Sequence, residues 1–259
     1  YAWHVLNTDT SILISSSEVS VDGLRSWQRI YADGVNAVTT QSQTAYGSSG
    51  SRTVTLTNPD GSSTVNAYAY GRLVSTTRKD SGGSQVTQTS YAYDAHGRVS
   101  ATTDARNGAT SFVYNKADQV AVTTAPNLGT GEAPQATVTF FDALGRATGQ
   151  LLPDGTTTTN LYTPAGLLQK TYGSRTYPVE YTYDAQGRMK TMKTWQDFGG
   201  NSLTATTRWN YDPYRGVLAY KEYPNATTGV PPDYQTTNGP SYTYTGGGRL
   251  KTRKWVRSS

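Results

Sequence analysis

The sequence has no cysteine, two histidines, two methionines and four phenylalanines in 259 residues. Without cysteine there is no disulfide framework and no thiolate chemistry. The two histidines, His4 and His96, are too few for a histidine-rich metal site. Aliphatic bulk is short as well: Val, Leu, Ile and Phe number 18, 15, 3 and 4, together 40, or about 15% of the chain. That is below the roughly 20% at which disorder is suspected. Disorder also requires high net charge and few aromatics, whereas the net charge here is +5 and 20 Tyr and 5 Trp are present. Glutamate is scarce, 4 against 14 Asp. Glu suits helices and Asp suits turns, so a helix-rich globule is excluded. The longest apolar run, Ile12 to Ile14, is far short of a membrane-spanning helix. The first residues lack the charged, apolar and small-residue order of a signal peptide. A start at Tyr1 rather than Met reads as a trimmed piece.

What fills the chain instead is threonine, tyrosine, glycine and a repeat. Thr, Tyr and Val favour strands. The clearest copies are Tyr91-Ala92-Tyr93-Asp94-Ala95-His96-Gly97-Arg98-Val99 and Tyr181-Thr182-Tyr183-Asp184-Ala185-Gln186-Gly187-Arg188-Met189. Thr139-Phe140-Phe141-Asp142-Ala143-Leu144-Gly145-Arg146-Ala147 is a third. Weaker copies run Phe112 to Val120, Asn160 to Leu167, Trp209 to Val217 and Tyr242-Thr243-Tyr244-Thr245-Gly246-Gly247-Gly248-Arg249-Leu250, and Tyr68 to Leu73 is shortened at its turn. With the second aromatic as a mark, positions 70, 93, 114, 141, 162, 183, 211 and 244 are separated by steps of 23, 21, 27, 21, 21, 28 and 33. The unit is therefore 21 residues, lengthened by insertions. Between marks lie second turn signals such as Leu152-Pro153-Asp154-Gly155, where Pro presets φ and Gly supplies positive φ.

Each unit reads as one β-hairpin. Asp opens the tight turn by bonding its own backbone, and Gly takes the left-handed position. The Tyr-x-Tyr pair, as in Tyr91/Tyr93, Tyr181/Tyr183 and Tyr242/Tyr244, shares one strand face. A lone hairpin is marginal in water, so units must stack edge to edge. Stacking is expected to set equivalent Tyr rings side by side as a ladder. The predicted fold class is all-β: repeated antiparallel hairpins forming a curved or spiralling sheet. Eight marks imply sixteen strands, about 75–80 Å along the hydrogen-bonding direction at roughly 4.8 Å per strand. Residues 1–45 read as an N-terminal adapter with a helical turn near Leu24–Ile30, and 46–259 as the repeat sheet. Inserts near 126–137, 195–206 and 224–240 are expected as rim loops.

The recurring Tyr-x-Tyr-Asp-x-x-Gly-Arg motif resembles YD repeats, over roughly Arg52 to Arg257. It is similar to Rhs proteins, the C components of Tc toxins and the teneurin YD shell. The resemblance implies a hollow shell or open barrel wound from antiparallel strands. It implies a structural, non-enzymatic segment of a large secreted or surface bacterial protein that encapsulates or displays other parts of the chain. The chain ends within the outgoing strand after Arg249, which reads as a cut from a longer shell that cannot alone enclose a cargo. Toxin-bearing members carry an aspartyl self-cleavage motif of Asp-Pro-x-Gly-Leu type. Asp212-Pro213-Tyr214-Arg215-Gly216-Val217 departs from it by one extra residue and by Val for Leu, and reads as a variant turn, with a self-cleaving shell in which Asp212 acts as the acid as the alternative.

No catalytic residue, metal ligand or cofactor is assigned. The recurring Asp94, Asp142, Asp184 and Asp212 read as turn formers rather than paired acids. His96 sits where other copies have Leu144 or Gln186, which excludes a catalytic role. Gly82-Gly83 and Gly246-Gly247-Gly248 lead into no Lys-Ser/Thr and no helix, so phosphate binding is not indicated. The repeat-structural set comprises Tyr91, Tyr93, Asp94, Gly97, Arg98, Phe141, Asp142, Gly145, Arg146, Tyr181, Tyr183, Asp184, Gly187, Arg188, Tyr211, Asp212, Tyr242, Tyr244, Gly248 and Arg249. The arginines are expected to stack on tyrosine rings or bond a neighbouring turn Asp, with an anion-binding row as the alternative. Exposed rings, namely Trp195, Trp209, Tyr214, Tyr220, Tyr223 and Trp255 with Trp27, are the candidates for glycan stacking, with ordinary packing between hairpins as the alternative. The expected partners are the remainder of a longer chain or an enclosed cargo, with glycans and edge-to-edge self-assembly as alternatives. A charge of +5 is a weak field for single-stranded nucleic acid.

Overall fold

A computed structural model describes residues 2–5, 11–32, 35–127, 129, 134–225, 228–229 and 239–255. The described residues are strands and turns, with no helix among them. They fall into two compact units, one of residues 1–114 and 122–136, the other of residues 115–121 and 137–259.

The first unit holds β1 (Ala2–Val5), β2 (Ser11–Val19), β3 (Arg25–Tyr31), β4 (Ala37–Tyr46), β5 (Ser51–Thr57), β6 (Ser63–Ala69), β7 (Arg72–Lys79), β8 (Gln85–Tyr93), β9 (Val99–Asp104) and β10 (Gly108–Tyr114). Each strand pairs antiparallel with the next. β11 (Val120–Thr124) follows. The second unit holds β12 (Ala136–Phe141), β13 (Ala147–Leu151), β14 (Thr157–Tyr162), β15 (Leu168–Gly173), β16 (Thr176–Tyr183), β17 (Met189–Asp197), β18 (Ser202–Tyr211), β19 (Leu218–Glu222), β20 (Ser241–Tyr244) and β21 (Leu250–Lys254). These also pair successively and antiparallel. The sixteen strands expected from the repeat are β6 to β21.

Two local expectations are overturned. The helical turn at Leu24–Ile30 is instead β3, which pairs on one side with β2 and on the other with β4. Two complete ladders outweigh a weak local helix preference. The loop expected at 195–206 is the continuation of a long hairpin, β17 and β18, paired out to Asp197↔Ser202. The extra residues lengthen the strands rather than form a rim loop. Inserts near 126–137 and 224–240 lie partly outside the described residues. The border placed at residue 45 falls inside β4, which pairs with β3 and β5 alike.

Both sheet faces stay partly open. In the first unit one cross-strand row runs Ala45, Thr53, Ala67, Ser75, Ser90, Thr103 and Ala109, all small side chains. In the second unit the x of Tyr-x-Tyr faces solvent, as Phe140 and Leu161 do, while the flanking aromatics are half-buried. Trp195 and Pro240 are the buried apolar side chains among the described residues. A fold without a conventional core must be held by its ladders and by links from unit to unit.

Candidate functional site: the repeated turn and its tyrosine latch

The turn is built from one aspartate. Asp94 Oδ1 accepts the backbone N–H of His96 and of Arg98, both at 2.9 Å. Its Oδ2 accepts from Arg98 Nε at 2.7 Å. The backbone closes below it, with Gly97 N donating to the Asp94 carbonyl at 2.9 Å. Gly97 adopts φ 83°, a region other residues enter only under strain. Asp142 with Arg146 and Asp184 with Arg188 repeat this geometry. Each arginine thus bonds the aspartate of its own turn, not a neighbour's. Partial burial pushes the Asp94 and Asp184 carboxyls up, but hydrogen bonds from Arg98 and Arg188 outweigh it and hold both below the usual carboxylate range. Asp142 is lowered chiefly by the backbone N–H of Arg146. Each of these carboxylates is thus engaged within its own turn. His96 contributes only its backbone N–H to this turn.

Just before six of the mark aromatics the ladder slips by one residue. The slips fall at Ala92/Tyr93, Phe140/Phe141, Leu161/Tyr162, Thr182/Tyr183, Asn210/Tyr211 and Thr243/Tyr244. Each is a β-bulge: the outgoing strand carries one extra residue, such as Ser100 between Val99 and Ala101. A bulge withdraws backbone groups from the ladder, and these need other partners. The tyrosine of the following unit supplies one. Tyr93 donates its hydroxyl to the Leu73 carbonyl, and Tyr183 to that of Leu168, each at 2.7 Å. Tyr114 does so to Val99 at 2.7 Å, Tyr162 to Ala147 at 2.8 Å, Tyr211 to Met189 at 3.0 Å and Tyr244 to Leu218 at 2.9 Å. Burial pushes the Tyr183 and Tyr211 hydroxyls up, which keeps them protonated as donors.

The arginine covers the ring it faces. Arg98 lies 4.3 Å from the Tyr114 centroid, Arg146 4.6 Å from Tyr162 and Arg188 4.3 Å from Tyr211. Arg52 lies 4.2 Å over Tyr68 and Arg72 5.5 Å from Tyr93. The expected ladder of tyrosine against tyrosine is therefore corrected. The marks are interleaved with guanidinium groups, and among the described residues the rings in contact are Tyr172–Phe198 and Trp195–Phe198. A guanidinium between two turns satisfies a ring face and a carboxylate at once, which a second phenol cannot do. For the first copy the mark also moves. Tyr68, not Tyr70, lies under an arginine, because Tyr70 and Gly71 form a two-residue turn with φ 50° and 80°.

Departures from the motif compensate within themselves. In the copy starting at Asn115, Asn115 replaces Asp and Gln119 replaces Arg. Asn115 Oδ1 still accepts the N–H of Ala117 and Gln119, and its Nδ2 donates to Gln119 Oε1 at 3.0 Å. Gln119 Nε2 reaches the Gly145 carbonyl at 2.7 Å, as Arg188 reaches that of Gly216 at 2.9 Å. Asp118 stands at the glycine position with φ 60°, which Asp tolerates. Asp212 accepts the backbone N–H of Tyr214 and Arg215 and so holds a longer turn.

The glycan candidates do not converge. Trp195 is 3% exposed, its Nε1 donates to Asn201 Oδ1, and Lys170 and Lys193 each lie 4.8 Å from the ring. It offers no open face to a sugar and is corrected to a packing residue. Trp209 pairs with Lys221, and Tyr220 with Asn210, so Trp209 and Tyr220 stand on opposite faces. Tyr214 sits 95% exposed on a turn, Tyr223 lies past the end of β19, and Trp255 stacks with Arg253 at 4.2 Å. Trp27 lies in β3 of the other unit, opposite Glu18 and Gln41. An open groove of about 670 Å³ beside Trp195 is walled by Tyr177 and Leu203, which no motif marked. The anion-row alternative is weakened because Arg98, Arg146 and Arg188 are each paired with Asp. Among the described residues no three His, Cys, Asp or Glu gather as metal ligands. No helix among them is long and apolar enough to cross a membrane.

A family model, the teneurin YD-shell, matches residues 52–203, more than half of the chain. No curated protein matches. Among solved structures the chain is similar to TcdB2-TccC3-TEV, with a TM-score of 0.57, 14% identity, and coverage of 93% of this chain and 15% of that one. It is similar to a Tc holotoxin pore of Photorhabdus luminescens, with a TM-score of 0.58, 14% identity, and coverage of 91% and 15%. TcdB2-TccC3 gives a TM-score of 0.57 at 14% identity, with coverage of 92% and 15%. The chain thus spans about 15% of the length of the structures it resembles.

Proposed function

Because the chain belongs to the teneurin YD-shell family, we propose that it is a non-enzymatic wall segment of a larger secreted or surface-displayed bacterial protein. In this reading it encloses or displays other parts of that protein. The observation that carries the proposal is the latch. The copies at Asp94, Asp142 and Asp184 spend their polar and charged groups on holding the next copy: aspartate on the turn, arginine on the next ring, and that ring's hydroxyl on the bulge carbonyl. Groups spent in this way are not free for substrate, whereas a wall needs continuous cross-linking. The resemblance to Tc toxin structures supports a toxin-associated setting.

A self-cleaving role through Asp212 is disfavoured because its Oδ1 is committed to two backbone N–H groups. Glycan adhesion is disfavoured because the candidate rings lie on opposite faces. The test uses the full natural protein. Limited proteolysis should leave the sequences adjoining this segment intact while the shell is folded. They should be cut once single latches, such as Tyr114→Phe with Tyr183→Phe, loosen the wall. Adjoining sequences digested equally fast in both proteins would refute enclosure.

A further inference from the structure

The bulge site recurs once more on β21. The ladder between β20 and β21 slips at Thr243/Tyr244, with Lys251 as the extra residue between Leu250 and Thr252. Leu250 therefore holds the place that Leu73, Val99, Ala147, Leu168, Met189 and Leu218 hold in the other copies. Those six carbonyls each accept a tyrosine hydroxyl from the next strand in sequence. Arg249 holds the place of Arg98, Arg146 and Arg188, each of which covers a tyrosine ring. Among the described residues β21 pairs with β20 alone, and all five of its residues are exposed.

We infer that Leu250 and Arg249 form a docking site on the β21 edge for a tyrosine carried by an antiparallel β-hairpin of another segment or chain. The occupant is specified by chemistry. It is an extended strand ending in Tyr-x-Tyr that places its second hydroxyl on the Leu250 carbonyl and its ring under the Arg249 guanidinium. The six copies within the chain define the geometry, and this strand edge supplies the acceptor and the cation together. Arg249 has Thr245 in the turn position where the stronger copies have Asp, and Thr245 Oγ1 accepts only its backbone N–H, at 3.1 Å. Its guanidinium is thus not neutralised by that turn, which favours an electron-rich ring as its ligand. Edge strands attract such pairing in general, but the bulge and the arginine select a tyrosine at one register.

The inference rests on the repeat geometry, not on enclosure, so the proteolysis result above and the result here can fail separately. The probe is a synthetic peptide with the sequence of residues 85–94, which ends in Tyr91-Ala92-Tyr93-Asp94. Titrated into the ¹⁵N-labelled chain, it should shift the amides of Leu250 to Lys254 in a saturable way. The same peptide with Tyr93→Phe should bind about five-fold more weakly, the effect of one hydroxyl hydrogen bond. Arg249→Ala in the protein should weaken the parent peptide by a similar factor, with the rest of the spectrum unchanged. Equal affinity for the Tyr and Phe peptides, shifts outside β20 and β21, or no saturable binding would each overturn the assignment.

Discussion

The Tyr114 hydroxyl donates to the Val99 carbonyl at 2.7 Å, across fifteen residues of chain and beside a β-bulge. The same ring lies 4.3 Å beneath Arg98, whose Nε is held by Asp94 at 2.7 Å. One tyrosine therefore ties its own strand to the preceding turn, that turn's arginine and, through it, that turn's aspartate. Repetition of this contact replaces the aliphatic core that the composition lacks.

Removing the hydroxyl alone isolates one strand of that tie. Tyr114→Phe keeps the ring under Arg98 and leaves the Val99 carbonyl without its donor. The expected cost is about 1 kcal/mol. It should be read by native-state hydrogen exchange as faster opening of β9 and β10, with β2 to β4 unchanged. Loss spread evenly over the first unit would mean that copies are not stabilised neighbour by neighbour.

The turn pair should behave as a unit. The chain itself uses a neutral version, Asn115 with Gln119, in which both side chains change together. Asp142→Asn leaves Arg146 without its carboxylate, and Arg146→Gln leaves Asp142 without its donor. The double variant reconstructs the neutral pair. Its urea midpoint should fall by less than the sum of the two single losses. Strict additivity would show that the Asp142–Arg146 bond at 2.6 Å is incidental to stability.

The hairpin period, the turn chemistry and the all-β class were legible because each depends on neighbours in sequence. Asp94 to Arg98 is four residues, and the Tyr91/Tyr93 spacing is two. The bulge was not legible, since inserting Ser100 leaves the residue types unchanged and only alters pairing. That the arginines stack on tyrosine rings was legible, but which ring each one covers was not. Arg98 and Tyr114 are sixteen positions apart, and the motif shows both without showing which ring each arginine meets. Trp195 looked like a surface ring because nothing in a single strand reveals Phe198, Lys170 and Asn201 closing around it. Tyr70 was mistaken for a mark because the two-residue turn after Ala69 moves the register by two.

Stability should fall on the acid side. Asp94, Asp142 and Asp184 all titrate below their ordinary value in the folded chain. A depressed folded value means the stabilisation is complete above the unfolded carboxylate range, near pH 4, and is lost as pH drops through the folded values. The thermal midpoint should stay level from about pH 7 to 5 and decline below about pH 4. Asp142→Asn should make that decline shallower. A midpoint indifferent to pH down to 2 would mean the Asp–Arg turns contribute nothing in solution.

Two glycines separate steric closeness from backbone conformation. Gly149 lies in β13 between Phe140 and Thr159, and a Cβ there would sit 2.7 Å from the Thr158 carbonyl oxygen. That oxygen is backbone and cannot swing aside, so Gly149→Ala must push β13 from β14. Gly187 has φ 77°, but a Cβ there would meet nothing closer than Leu167 Cδ1 at 3.7 Å. Gly187→Ala therefore carries only the cost of a left-handed alanine, about 1 kcal/mol, confined to the turn. Gly149→Ala should cost about 1–3 kcal/mol, as overpacking does. Its amide shifts should spread over Thr157 to Thr159 and reach the Tyr162 latch, since Tyr162 bonds Ala147 two residues away. If Gly149→Ala proves the milder of the two, the close approach of β13 and β14 is not what the glycine serves.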